Sequence, residues 1–246
     1  MRLSLVVLAL ILGMTAMTTS VQAGRRKEGF MNKTYKGPEG PGKYVLFVPH
    51  NYDSKKVYPV ILFLHGSGES GTDGKAQVNV GLGPAIKERE KSFPFIAILP
   101  QSQERTWQAG SKDANRALAI LGEVEKSYKT DPQRVYLTGL SMGGYGTWSL
   151  AAVLPDRWAA IVPICGGGNP KDAAALKDIP CWCFHGDADK VVPVKQSREM
   201  IEALKTAGGM PRYSEYKGVD HNSWDRAYGS TQLYEWLLKQ KKAPPK

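Results

Sequence analysis

The feature that most constrains this chain is a series of short, apolar runs spaced by helix-length amphipathic stretches. Val57–Leu64 reads VYPVILFL. Such a run has no polar alternation, as a strand covered on both faces requires. Further strand-length runs follow at Tyr44–Val48, Phe95–Leu99, Val135–Thr138, Ala159–Cys165 and Pro180–Phe184. Arg212–Tyr216 alternates and reads as a strand nearer the edge. Between them, Lys112–Tyr128 repeats apolar positions at three and four, from Ala114 through Leu121 to Tyr128. Val194–Ala207 does the same and stops at Gly208-Gly209, and Thr231–Lys239 is a last helix. Strand–helix alternation of this kind builds a mostly parallel sheet with helices on both faces. Residues 24–43 are polar with Gly-Pro and Pro-Gly turns. No internal repeat or low-complexity linker divides the chain, so residues 24–246 are expected to form one α/β domain.

The first 23 residues read differently. Arg2 precedes an apolar core from Leu3 to Leu12, and Val21-Gln22-Ala23 places small residues three and one before a cut. This is the pattern of a secretory signal peptide cleaved after Ala23. The run is short and interrupted, so a retained membrane anchor is the weaker reading. No later segment is long and apolar enough to span a bilayer. The expectation is a secreted or periplasmic monomer.

Charge narrows the partners. The formal charge is +10 in 246 residues, but the cations are scattered. A stripe with interleaved aromatics, which a nucleic-acid surface needs, is missing. The three cysteines, Cys165, Cys181 and Cys183, all lie in apolar runs and read as buried thiols, with a bridge from Cys165 to the neighbouring strand as the alternative. Their spacing does not suit a metal, and no cofactor motif is present.

In a parallel sheet, chemistry gathers beyond the carboxyl ends of the strands. After Val135–Thr138 comes Gly139-Leu140-Ser141-Met142-Gly143. G-x-S-x-G is a short pattern, and its weight comes from its place between a strand and a helix. There a sharp turn lifts the Ser141 hydroxyl above the sheet, and the helix N-terminus offers backbone N–H groups to a developing oxyanion. A serine needs a base. Of the four histidines, only His185 and His221 follow Ser141. His185 directly ends a strand, whereas His221 lies in the loop Gly218–Trp224 beyond the last one, so His221 is the expected base. Asp187, Asp189 and Asp220 compete for the acid. Asp189 is favoured because it lies further along its loop, while Asp187 sits in a tight turn. After Val57–Leu64, His65-Gly66-Ser67-Gly68-Glu69 forms a Gly-rich loop. An N–H of Ser67, or else of Gly68, would pair with that of Met142 as an oxyanion hole. His65 is expected to brace this loop. Glu69 either contacts substrate or locks the loop, and Trp107 either lines an acyl pocket or caps the core.

These segments together resemble the α/β-hydrolase superfamily. The stretches YPVILFLHGSGESG, VYLTGLSMGGYGTW, PICGGG, FHGDADKVVPV and GVDHNSW carry the resemblance across residues 58–224. They are similar to single-domain esterases of the carboxylesterase/phospholipase, feruloyl-esterase and dienelactone-hydrolase kind. The resemblance implies an α/β-hydrolase fold of about eight strands, a Ser141–Asp189–His221 triad, oxyanion donors at Ser67 and Met142, and no cofactor. Only residues 166–179 stand where lidded lipases insert a cap. The expected function is hydrolysis of a small or polysaccharide-linked ester, acetyl or feruloyl, through an acyl-enzyme. The alternatives are a peptidase related to the prolyl oligopeptidases and a non-catalytic binding protein on the same fold.

Overall fold

A computed structural model describes residues 28–242. The signal peptide assigned to residues 1–23 lies outside the described residues. Eight strands form a single sheet: β1 (Gly29–Tyr35), β2 (Gly42–Val48), β3 (Tyr58–Leu64), β4 (Ile96–Pro100), β5 (Thr130–Leu140), β6 (Ala160–Ile164), β7 (Trp182–Gly186) and β8 (Arg212–Tyr216). Their order is β1-β2-β4-β3-β5-β6-β7-β8. β2 runs antiparallel to β1 and β4, and the other neighbours are parallel. The helices are α1 (Leu82–Glu88), α2 (Lys112–Ser127), α3 (Met142–Val153), α4 (Ala173–Leu176), α5 (Lys195–Thr206), α6 (Trp224–Gly229) and α7 (Thr231–Lys239).

β3 shows why its sequence carries no polar alternation. Val60, Leu62 and Leu64 point to one core with Ala117, Leu121, Trp148 and Met200 of α2, α3 and α5. Ile61 and Phe63 point to a second core with Leu82, Tyr228 and Leu237 of α1, α6 and α7. Apolar side chains thus face helices on both sides of the sheet. α2 begins where Ser111 Oγ accepts the Ala114 N–H at 3.2 Å, a side-chain cap on its free first turn.

The antiparallel edge was not legible in the sequence. Residues 24–43 read as polar turns, yet β1 occupies Gly29–Tyr35. Only Gly29, Met31 and Tyr35 are buried there, so the strand belongs to the sheet by backbone pairing to β2 more than by apolar burial. β5 also starts five residues before the apolar run that marks it. No helix of the described residues is long and apolar enough to cross a membrane. Residues 166–179, between β6 and β7, carry one 3-10 turn at Pro170–Asp172 and the four-residue α4.

Candidate active site

The site is assembled at the carboxyl ends of β3, β5, β6, β7 and β8. Ser141 occupies the step from β5 to α3 with φ 52° and ψ −117°. An L-residue adopts that conformation only under strain. Close backbone contacts hold it there. A Cβ on Gly143 would overlap the carbonyl oxygen of Leu64 in β3, and one on Gly139 would overlap the carbonyl of Gly143. A Cβ on Gly144 would stand 2.5 Å from the carbonyl oxygen of Ile164 in β6. The Ser141 N–H donates to that same Ile164 oxygen at 2.9 Å. The elbow is thus wedged between two neighbouring strands, and glycine is what lets them approach.

Three side chains from distant stretches meet above this turn. The Ser141 hydroxyl lies 2.9 Å from His221 Nε2, and His221 Nδ1 lies 2.7 Å from Asp189 Oδ2. A carboxylate only accepts, so Nδ1 carries the hydrogen and Nε2 is free to accept from the Ser141 hydroxyl. Asp189 is anchored through its other oxygen, where Oδ1 accepts the N–H groups of Val191 and Val192, each at 2.8 Å. Its side chain has no exposed surface. The Trp224 ring and the His221 imidazole meet in a T-shaped contact, with centroids 5.3 Å apart.

The two other aspartates hold loops. Asp187 Oδ1 accepts the Gly218 N–H at 2.6 Å. Asp220 Oδ1 accepts the N–H of Lys190 at 3.0 Å and of His221 at 2.8 Å. With the Ala188 N–H donated to Val219 O at 3.1 Å, these bonds tie the loop of Asp189 to the loop of His221.

The loop after β3 lies against the elbow. A Cβ on Gly66 would stand 2.8 Å from Leu140 Cδ1 and 3.6 Å from Ser141 Cβ. Ser67–Glu69 forms a 3-10 turn with Ser67 and Gly68 exposed. Met142 is the first residue of α3, where N–H groups have no carbonyl partner within their own helix. Glu69 is half-buried, and burial pushes its carboxyl group up, against the pull of the N–H groups of Glu69 and Gly66. Its carboxylate would stand 3.1 Å from a Cβ on Gly66, so it folds back along its own loop.

His65 supports that loop from below. Its Nε2 accepts the Ser102 N–H at 2.9 Å, which puts the hydrogen on Nδ1, donated to Gly66 O at 2.6 Å. The ring is fully buried, and burial brings its pKa down to about 4, so it is neutral at physiological pH. Trp107 belongs to the same brace. It is 1% exposed, and its Nε1–H donates to His65 O at 3.0 Å. Of its two expected positions, the structure gives the core.

Two groups stand beside the site without a role assigned from sequence. Cys165 follows β6 with φ 39° and a fully buried thiol, pushed up to about 12 by that burial. All three cysteines are free, so the alternative bridge from Cys165 is not formed. Among the described residues, donor atoms of Cys165, Asp189 and His221 form a group within 4.8 Å of one another, the spacing a metal ion would need. There the carboxylate and imidazole are already hydrogen-bonded to each other. His185, at the end of β7, reaches the same carboxylate, with Nε2 3.1 Å from Asp189 Oδ2. The sequence marks this histidine only by its place at the end of a strand, because its partner is set by how the following loop turns back.

Comparison with known proteins agrees with this architecture. Residues 44–230 match the dienelactone hydrolase family. A bifunctional acetylxylan esterase/xylanase of Neocallimastix patriciarum is 27% identical over 207 residues, covering 82% of this chain and 29% of that protein. A probable feruloyl esterase C of Aspergillus terreus is 29% identical over 169 residues, covering 68% of this chain and 62% of the relative. The crystal structure of a thermostable esterase superposes with a TM-score of 0.80 at 36% identity, over 86% of this chain and 63% of that one. The chain therefore spans less than two thirds of each of these relatives.

Proposed function

The chain belongs to the dienelactone hydrolase family, and on that premise we propose that it is a serine carboxylic ester hydrolase with Ser141, His221 and Asp189 as its triad. The observation that carries this reading is the continuous hydrogen-bond line from the Ser141 hydroxyl through His221 to Asp189. His221 Nε2 takes the proton as Ser141 Oγ attacks the ester carbon, and the new charge collects on the former carbonyl oxygen. Backbone N–H groups of Ser67 and Met142 stabilise that oxygen. The tetrahedral species collapses, the C–O bond to the alcohol breaks, and His221 returns the proton to the leaving oxygen. Water then attacks the acyl-enzyme with His221 again as base, releasing the acid and restoring Ser141. Asp189 orients the ring and offsets its positive charge throughout.

Residues 24–246 make up one catalytic domain in this reading, exported behind the leader of residues 1–23 and acting as a monomer. The substrates proposed are acetyl or feruloyl esters carried on polysaccharide. Two relatives with those activities in their names support this choice. So does the short connection between β6 and β7, which leaves no room for a cap domain. A panel of acetyl, feruloyl, longer acyl and peptide substrates tests it. Turnover of acetylated or feruloylated polysaccharide fragments is the expected result. Cleavage of peptides with no turnover of any ester would overturn it.

A further inference from the structure

The triad makes no use of His185, although this histidine is buried against it. The side chain has no exposed surface and lies four residues before Asp189. Nε2 is 3.1 Å from Asp189 Oδ2 and 3.0 Å from the carbonyl oxygen of Val192. Nδ1 is 2.7 Å from Ser197 Oγ in the first turn of α5. These partners decide the tautomer. Carboxylate and carbonyl oxygens only accept, so Nε2 carries the hydrogen, and the Ser197 hydroxyl gives its one hydrogen to Nδ1 at 2.7 Å over the Gly166 carbonyl oxygen at 3.2 Å. The Cys183 thiol in turn stands 3.4 Å behind Ser197 Oγ as a donor. Burial lowers the pKa of His185, which keeps the ring neutral with its single hydrogen.

The Oδ2 atom of Asp189 therefore receives the His221 N–H at 2.7 Å and a share of the His185 N–H at 3.1 Å, whose one hydrogen also faces the Val192 carbonyl oxygen at 3.0 Å. With the two backbone donors on Oδ1, four N–H groups converge on the carboxylate, the fourth of them shared. We propose that His185 is a positioning residue of the reaction, whose Nε2–H both orients the Asp189 carboxylate and limits the charge that this oxygen offers to His221. The proposal rests on the triad reading and adds a residue to it. It has a direction. A donor on the oxygen that faces His221 weakens that oxygen's hold on the imidazolium. Without the donor, the cation of His221 is stabilised, and the acidic limb of kcat/KM moves to higher pH. The other polar and titratable groups around His185 and the carboxylate are Ser197, Cys183, Cys165, Tyr145 and, on the paired strand β8, Glu215. The Glu215 carboxylate is already held by Arg198 and Tyr213, at 2.6 and 2.8 Å.

Two substitutions separate donor from filler. In His185→Gln the amide nitrogen reaches about as far as Nε2, whereas in His185→Asn it reaches only as far as Nδ1. His185→Asn is expected to lower kcat about ten- to hundredfold, by analogy with the cost of removing a group that orients a metal-ligating side chain. KM should stay as it is, and the acidic limb should move up in pH. His185→Gln should restore both. Equal behaviour of the two variants, or His185→Asn with the wild-type kcat and limb, would overturn the proposal. Imidazole ¹⁵N spectra of the wild-type protein give a second test that needs no variant. A neutral ring protonated on Nε2 at neutral pH is expected for His185, and a ring protonated on Nδ1, or a cation, would refute the donor role. A fluorophosphonate that labels Ser141 while the limb stays fixed rejects His185 alone. No labelling of the wild type rejects the triad beneath it.

Discussion

A carboxylate on which four N–H groups converge cannot turn, and that rigidity suits Asp189 to the role proposed for it. Asp189→Asn keeps the size but replaces one acceptor with a donor, so His221 is driven to the tautomer with its hydrogen on Nε2. The ring can then no longer accept the proton of Ser141. We expect kcat to fall about ten-thousandfold with KM little changed, measured on a short-chain nitrophenyl ester. A fall of less than about tenfold would separate Asp189 from the chemistry. The three residues that meet here were nameable from the sequence because each follows a strand end, where the fold collects its functional groups. Chain order left Asp187, Asp189 and Asp220 open as acids. The structure brings Asp189 to His221 and gives the other two to backbone N–H groups. His185 and Cys165 also stand at strand ends, but chain order gave neither a role in the site. Both sit at the buried ends of apolar runs, and their contacts depend on loops whose path sequence periodicity does not encode.

At the scale of elements, the turn from β5 into α3 concentrates the steric demand of the fold. The apolar run at Val135–Thr138 marks β5 and the glycines mark the turn. Burial is what makes them obligatory, since the clashing atoms at Gly143 and Gly144 are backbone carbonyls of β3 and β6. Backbone in a paired strand cannot yield without breaking the sheet. Gly143→Ala is therefore expected to destabilise the protein by at least about 3 kcal/mol or to prevent its accumulation. Gly122, in the middle of α2, is the control, because nothing lies within 4 Å of its Cβ position. Gly122→Ala should raise stability by about 0.5–1 kcal/mol through helix propensity alone. Urea denaturation of both variants checks this pair, and a neutral Gly143→Ala would contradict the wedged elbow. β1 marks the other end of legibility. Its sequence, GFMNKTY, lacks an apolar run because edge strands hold through backbone pairing, and nothing in the side chains announces that pairing.

For the molecule as a whole, two apolar cores separated by one sheet set the stability, and a buried neutral histidine makes it depend on pH. His65 binds a proton only near pH 4 when folded, against about 6.5 in the unfolded chain. Between those values the unfolded state holds more protons, so stability falls as pH drops from about 6.5 to about 4, by as much as about 3 kcal/mol from this residue. His185, also depressed by burial, adds in the same direction. Chemical denaturation at a series of pH values should show this decline, and His65→Gln should flatten it. An unchanged slope in that variant would assign the loss to other groups. The two-sided sheet and its helices were readable in outline from strand and helix periodicity. The backbone ties between acid loop and base loop were not, because they run through bonds of Asp187, Ala188 and Asp220 to segments about 30 residues away in the chain. The account as a whole depends on Ser141 being the nucleophile. Reaction with a fluorophosphonate probe followed by peptide mass mapping tests this most directly. One adduct on Ser141, absent from Ser141→Ala, is the predicted result, whereas an adduct on another residue, or none on the folded wild-type protein, would contradict it.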